Sequence, residues 1–260
     1  MWALSVNNLT KNFGGIKAIR DINVNIEKGK IIGIIGPNGA GKTTFFNLLT
    51  GIYSPTTGEI VYNLDSQVRT KDLKPHKIVH YGIARTFQNI RLFKEMTVLD
   101  NILIGFHNRL KYGVGSTLLR LPSYYKAEKS THEEALELLD KFDLLNKKDE
   151  LAKNLPYGDQ RKLEIARALA AKPKLLLLDE PAAGMNPIET KELRDLINWI
   201  REAFELTIIL IEHDMSLVMN ICEEILVFDY GNLVAQGSPE EIQNNERVIK
   251  AYLGEEVEEC

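Results

Sequence analysis

The sequence predicts an α/β fold with a parallel central sheet, an antiparallel β part at its start and a helical insertion in its middle. Three observations carry that expectation. Short, nearly continuous apolar runs recur at Ile31 to Ile35, Leu175 to Leu178 and Thr207 to Ile211, as expected of strands buried on both faces. A helix-length segment from Glu189 to Phe204 separates the last two runs, the alternation that parallel strands require. The beginning instead alternates apolar and polar residues, in Leu4-Ser5-Val6 and Ile22-Asn23-Val24-Asn25-Ile26, which suits a sheet with one wet face.

Taken in order, the run at Ile31 to Ile35 ends in a glycine-rich turn, and Lys42 to Leu49 continues as a helix. Glu59-Ile60-Val61-Tyr62 is again strand-like. From about Pro75 to Pro156 the pattern turns helical and loop-rich, with loop signals at Gly113-Val114-Gly115-Ser116 and Leu121-Pro122-Ser123. Thr131 followed by Glu134 has the capping-box form and predicts a helix start. Ala135, Leu138, Leu139 and Phe142 behind it form one apolar stripe. Ser238-Pro239-Glu240-Glu241 opens a last helix, with Ser at the cap, Pro first and Glu closing the box. The expected organisation is an α/β core over about 1–87 and 160–260, with a helical subdomain inserted at about 88–159.

Composition bounds the function. The 260 residues include 36 acidic and 32 basic side chains, a net charge of −4, which gives no support for broad nucleic-acid binding. With 44% hydrophobic residues the chain can bury a core. No apolar run approaches the roughly 18 residues needed to cross a bilayer, and the N-terminus lacks the pattern of a signal peptide. A membrane role is therefore expected to be peripheral. The cysteines, Cys222 and Cys260, form no CxxC pair and fit a reducing compartment.

Two motifs carry chemistry. Gly36-Pro37-Asn38-Gly39-Ala40-Gly41-Lys42-Thr43 matches G-x-x-x-x-G-K-[ST] and sits between a buried strand and a helix. Its glycines let backbone N–H groups turn inward around phosphate oxygens, and Lys42 supplies a cation for the outer phosphates. Thr43 is a hydroxyl ligand for Mg²⁺, Thr44 continues the cradle, and the helix N-terminus adds its dipole. Leu175-Leu176-Leu177-Leu178-Asp179-Glu180-Pro181 describes a central strand delivering carboxylates to its C-terminal edge. Asp179 is expected to hold Mg²⁺ and Glu180 to polarise the attacking water.

The residues between and after these motifs narrow the choice. Over nearly its whole length the sequence resembles the ATP-binding subunits of ABC transporters. Gln88, in Ala84-Arg85-Thr86-Phe87-Gln88, is similar to the family's Q-loop glutamine, which contacts Mg²⁺. Leu155-Pro156-Tyr157-Gly158-Asp159-Gln160 falls at the LSGGQ signature, with Pro156 for serine, Tyr157 for the first glycine and Asp159 for glutamine. The serine hydroxyl that meets the opposite subunit's γ-phosphate is therefore missing, and a helix beginning near Asp159 is left to face that phosphate. His213 resembles the switch histidine. Gly184, Met185 and Asn186 occupy the D-loop, and Phe13 resembles the aromatic that stacks on adenine. Arg85 to Phe93, the Tyr-Gly-Asp-Gln signature, Asp179 to Pro187, the insertion from Gly105 to Ser130 and the ending Val248 to Gly254 look most like the LivG-type ATPases of branched-chain amino-acid importers.

That resemblance implies a P-loop NTPase (RecA-like) core that binds ATP and Mg²⁺ and hydrolyses ATP. It implies a peripheral subunit on the cytoplasmic face of the membrane, joined to two membrane permease subunits and a second ATPase subunit, either a sister protein or another copy. An extracytoplasmic substrate-binding protein takes part indirectly, and no nucleic acid does. Two other classes share the motifs: soluble ABC-type ATPases serving nucleic acid or translation, and nucleotide-dependent regulatory modules that do not hydrolyse. The former carry coiled-coil insertions or tandem cassettes, absent here; Glu180 and His213 argue against the latter.

Overall fold

A computed structural model describes residues 1–69, 74–107 and 122–253, with the side chains of 122–124, 126 and 251–253 excepted. The loop signals at Gly113 to Ser116 and Leu121, together with Gly254 and Cys260, lie outside the described residues. Packing divides the chain into two compact units, residues 1–88 with 174–260 and residues 89–173.

The first unit holds two sheets. Strands β1 (Trp2–Phe13), β2 (Ile16–Glu27), β4 (Thr57–Asn63) and β5 (Gln67–Arg69) form an antiparallel sheet in the order β2-β1-β4-β5. The second sheet, in the order β10-β9-β3-β8-β7-β6, comprises β3 (Ile31–Ile35), β6 (Ile83–Arg85), β7 (Leu175–Asp179), β8 (Thr207–Ile211), β9 (Glu224–Asp229) and β10 (Asn232–Gly237). All neighbours in it are parallel except β9 and β10. Strands β3, β7 and β8 are buried at every position, which is why their sequences are apolar without alternation.

Helix α1 (Lys42–Leu49) shares one core with both sheets: Phe45 and Phe46 pack with Ile60 and Tyr62 of the antiparallel sheet and with Ile34 and Phe228 of the parallel one. The Phe45 and Phe228 rings lie 5.1 Å apart. The buried Tyr62 hydroxyl donates to Leu49 O at 2.6 Å, so its burial leaves no polar group stranded. Strand β6 falls in a stretch expected to be helical or loop. Three residues are too few to display a period, and only pairing with β7, Ile83 opposite Leu175, makes the strand. Helices α5 (Pro187–Ala203), α6 (Met215–Ile221), α7 (Pro239–Gln243) and α8 (Glu246–Leu253) complete this unit. Ser238 and Glu241 form the expected capping box.

The second unit packs α2 (Val98–Phe106), α3 (Pro122–Lys141) and α4 (Tyr157–Ala170) against one another. A Cβ on Gly105 would lie 2.5 Å from Arg167 O, so glycine is what lets α2 approach α4. Helix α3 runs through Thr131, so the capping box expected there is not a helix start; the first turn lies at residue 122. A threonine-to-glutamate spacing inside a helix is only an i, i+3 pair. The box in this unit is instead Thr97 with Asp100, at the head of α2. The stripe of Ala135, Leu138, Leu139 and Phe142 is buried. The contacts assign all of α4 to this unit, whereas the sequence suggests a return to the core near residue 160. Among the described residues no helix is long and apolar enough to cross a membrane.

Candidate functional site

The parallel sheet brings the site together, because β3, β6, β7 and β8 run the same way and end at one edge. After β3, Gly36 adopts φ 145° with its Cα against the Phe228 carbonyl, where any Cβ would collide with backbone. The turn after β9 holds the loop from outside: Gly231 N–H donates to Ala40 O at 3.0 Å, and Arg20 N–H donates to Gly231 O at 2.8 Å. Asn38, Gly39 and Thr43 are exposed, and Ala40 is buried. No side chain caps α1, whose N-terminus follows Gly41.

Lys42 is 6% exposed, and its Nζ donates to Gly36 O at 2.6 Å and Pro37 O at 2.9 Å. Burial draws its ammonium below the usual lysine value, while the charge of Glu180 acts the other way. A cation held partly desolvated against its own loop gains from the arrival of a polyphosphate.

At the ends of the neighbouring strands three predicted residues meet. Gln88 Nε2 donates to Glu180 Oε2 at 2.7 Å, and His213 Nε2 lies 3.0 Å from Glu180 Oε1. Glu180 stands at φ 46°, the left-handed region that disfavours side chains. Its N–H donates to Ile211 O at 3.0 Å, which holds the turn in this conformation.

Asp179 ends β7 in a buried ion pair, its Oδ2 accepting from Arg85 Nη2 at 2.7 Å. Arg85 Nη1 also donates to Asn47 Oδ1 at 2.8 Å and Thr50 Oγ1 at 3.1 Å, and its guanidinium stacks on Phe46 and Phe87. Sequence reasoning missed Arg85 as the partner of Asp179, because the residues it joins come from β7 and from α1 and its cap. Breaking a buried pair leaves an uncompensated charge, so Arg85→Met should lower unfolding stability by about 3–5 kcal/mol. Urea denaturation checks this; a loss below about 1 kcal/mol contradicts it.

Glu212, also missed, is buried at the end of β8 and accepts from Ala182 N–H at 2.7 Å and His213 N–H at 3.1 Å. Asn186, expected at the D-loop, caps α5: its Oδ1 accepts from the N–H groups of Ile188 and Glu189 at 2.9 and 3.1 Å, while Glu189 answers to its N–H. Gly184 is exposed and Met185 half-buried in the turn before it. Phe13 is not a core side chain; it is 40% exposed, edge-on to Tyr53 at 5.1 Å, with Lys11 Nζ 5.0 Å from its ring. A planar base could stack there.

Leu155, Pro156, Tyr157, Gly158 and Asp159 belong to the second unit. Pro156 is the N-cap of α4, which starts at Tyr157, two residues before the position expected, and no side chain caps it. Leu155 is buried, and Tyr157 is exposed. Asp159 in the first turn is paired with Lys147, which cancels a charge that would otherwise repel an approaching anion. Behind it the buried Arg161 Nη1 donates to Glu164 Oε2 at 2.8 Å, and Glu164 Oε1 accepts from Arg91 N–H at 3.0 Å.

Among the described residues no group of three or more His, Cys, Asp or Glu converges to hold a metal. The Thr43 hydroxyl and Asp179 suit Mg²⁺ that takes its remaining ligands from phosphate and water, as this ion commonly does.

Comparison with known proteins shows the family. The family profile "ABC transporter" matches residues 19–183, and that of "Branched-chain amino acid ATP-binding cassette transporter" matches 232–258. The high-affinity branched-chain amino acid transport ATP-binding protein LivG of Escherichia coli K12 is 48% identical over 97% of this chain and 98% of its own. The corresponding BraF of Pseudomonas aeruginosa is 46% identical over the same shares. A crystal structure of the ADP conformation of an ATP-binding cassette of an ABC transporter superposes with TM-score 0.83 at 31% identity, covering 98% of this chain and 100% of that one. With a glycine-rich loop, an acid-ended strand and His213 on one sheet edge, and a relative identical at nearly half of its positions from end to end, the chain belongs to the ATP-binding cassette family of ABC transporters, in its branched-chain amino acid branch.

Proposed function

We propose that the chain binds and hydrolyses ATP to power uptake of branched-chain amino acids, as a peripheral subunit on the cytoplasmic face of the membrane. Its companions are two permease subunits and a second ATPase subunit, with an extracytoplasmic binding protein delivering the substrate. The observation that carries the hydrolytic part is the meeting of Gln88, Glu180 and His213 at the sheet edge that also bears the phosphate loop. The similarity to LivG and BraF, ATP-binding proteins of branched-chain amino acid transport, supports the substrate class.

In this reading the loop from Gly36 to Thr44 cradles the phosphates, with Lys42 on the outer ones, and Phe13 stacks on the adenine. Thr43, Asp179 and Gln88 hold Mg²⁺, which when bound withdraws charge from the phosphate oxygens. Glu180 takes the proton of the attacking water, and His213 orients its carboxylate. Leu155 to Asp159 close over the nucleotide of the second ATPase subunit, whose signature segment closes over this one, with Gly184 to Asn186 at the seam. Hydrolysis removes that bridge and lets the pair open.

Vesicles carrying the chain with its permeases and binding protein test the reading. ATP inside should drive accumulation of labelled leucine, with phosphate released. Accumulation that proceeds without ATP, or phosphate release without leucine uptake, counts against it.

A further inference from the structure

Glu212 is a carboxylate that pays no visible role in binding or proton transfer, yet it is 3% exposed. Among the described residues no lysine or arginine pairs with it. The residues before it, Thr207 to Ile211, are all buried, and four are apolar. A side chain needed only to fill space there would be apolar too, since burying an uncompensated charge is costly. What the carboxylate obtains instead is backbone N–H groups from two loops. Oε1 accepts from Ala182 at 2.7 Å, while Oε2 accepts from His213 at 3.1 Å and lies 3.5 Å from Asp214 N. Burial pushes its pKa up, toward the neutral form; those N–H groups oppose the rise, and Glu180's charge adds to it.

The two loops are the ones that present the hydrolytic pair. Ala182 lies two residues beyond Glu180 in a tight turn, where Ala183 N–H donates to Glu180 O at 3.2 Å. The other loop begins with His213 itself. Besides the side-chain contact of Glu180 with His213, the Glu180 N–H to Ile211 O bond and the Glu212 bridge join the loops at this level.

We propose that Glu212 is a positioning residue: it fastens the turn at 180–183 to residues 212–214, so that His213 and Glu180 meet at 3.0 Å. The inference rests on the reading of Glu180 and His213 as the hydrolytic pair. Glutamine at 212 keeps the shape but offers one carbonyl oxygen to two loops and turns an amide NH₂ toward the other's N–H, so one fastening is lost.

The test uses the full chain with its permeases. Glu212→Gln should lower kcat by about ten- to a hundredfold, the scale of a misplaced catalytic group, while the KM for MgATP stays within about twofold. In a His213→Ala background the same substitution should lower kcat by less than about twofold, because Glu180 then has no imidazole to be brought against. The amides of Ala182 and His213 in the unsubstituted chain should be protected from hydrogen exchange, and Glu212→Gln should expose at least one of them. Wild-type kcat in Glu212→Gln, a raised KM with kcat retained, an undiminished loss in the His213→Ala background, or rapid exchange of both amides in the unsubstituted chain overturns the inference. Turnover retained in Glu180→Gln overturns the reading of the pair and the inference with it; the other outcomes leave that reading standing.

Discussion

Glu180→Gln should lower ATP turnover by about 10²–10⁴-fold, the range of a lost general base, and leave nucleotide binding intact. The substitution is nearly isosteric. An amide can still face Gln88 and His213, which lie 2.7 and 3.0 Å from the two carboxylate oxygens. What disappears is the capacity to accept a proton from water. Binding should survive because the phosphate loop rests on β3, α1 and the turn at Gly231, none of which needs the Glu180 carboxylate. With ATP bound and uncut, the closed pair of subunits should accumulate. Phosphate release measured beside size-exclusion chromatography in MgATP reads both effects; near-normal release would remove Glu180 from the reaction.

Lys42→Ala should instead strike affinity. The Lys42 ammonium stands inside the loop, held by Gly36 and Pro37 carbonyls that cannot neutralise it. Each hydrogen bond from a charged donor contributes about 1.5–3 kcal/mol, so losing it should weaken ATP binding by about 10- to 100-fold. The discrimination between nucleotides should change as well: ATP should lose more than AMP, which lacks the outer phosphates. Titration calorimetry with ATP and AMP checks this, and unchanged ATP affinity contradicts the phosphate cradle.

The parts of the fold legible in the sequence are those whose pattern is complete within a few residues. Strands β3, β7 and β8 declare themselves because full burial leaves no polar position in their middles. Helix α1 follows from the glycine turn before it. Strand β6 has no such pattern, since Ile83-Ala84-Arg85 becomes a strand through its neighbour. Thr97 and Thr131 carry similar cap signals, and only the packing of the second unit decides that the first starts a helix and the second lies inside one. The site divides in the same way. Lys42, Asp179, Glu180 and His213 follow from motif and strand-end position, whereas Arg85 and Glu212 act through partners 94 and 30 residues away, which no local pattern encodes. Asn186 is the reverse case: its cap to α5 is a local signal, Asn-Pro followed by Glu189, overlooked beside the D-loop expectation.

The backbone at Glu180 has one more consequence. Its φ of 46° costs a side-chain-bearing residue about 1–2 kcal/mol relative to glycine or asparagine, which take this conformation readily. If Glu180 is the base of the proposed reaction, heat tolerance and turnover pull against each other at this position: the residues that would relax the chain cannot take a proton from water. Selection for a hardier protein alone would favour replacement here, and a carboxylate persists at this position as a local weakness that the surrounding hydrogen bonds hold in check.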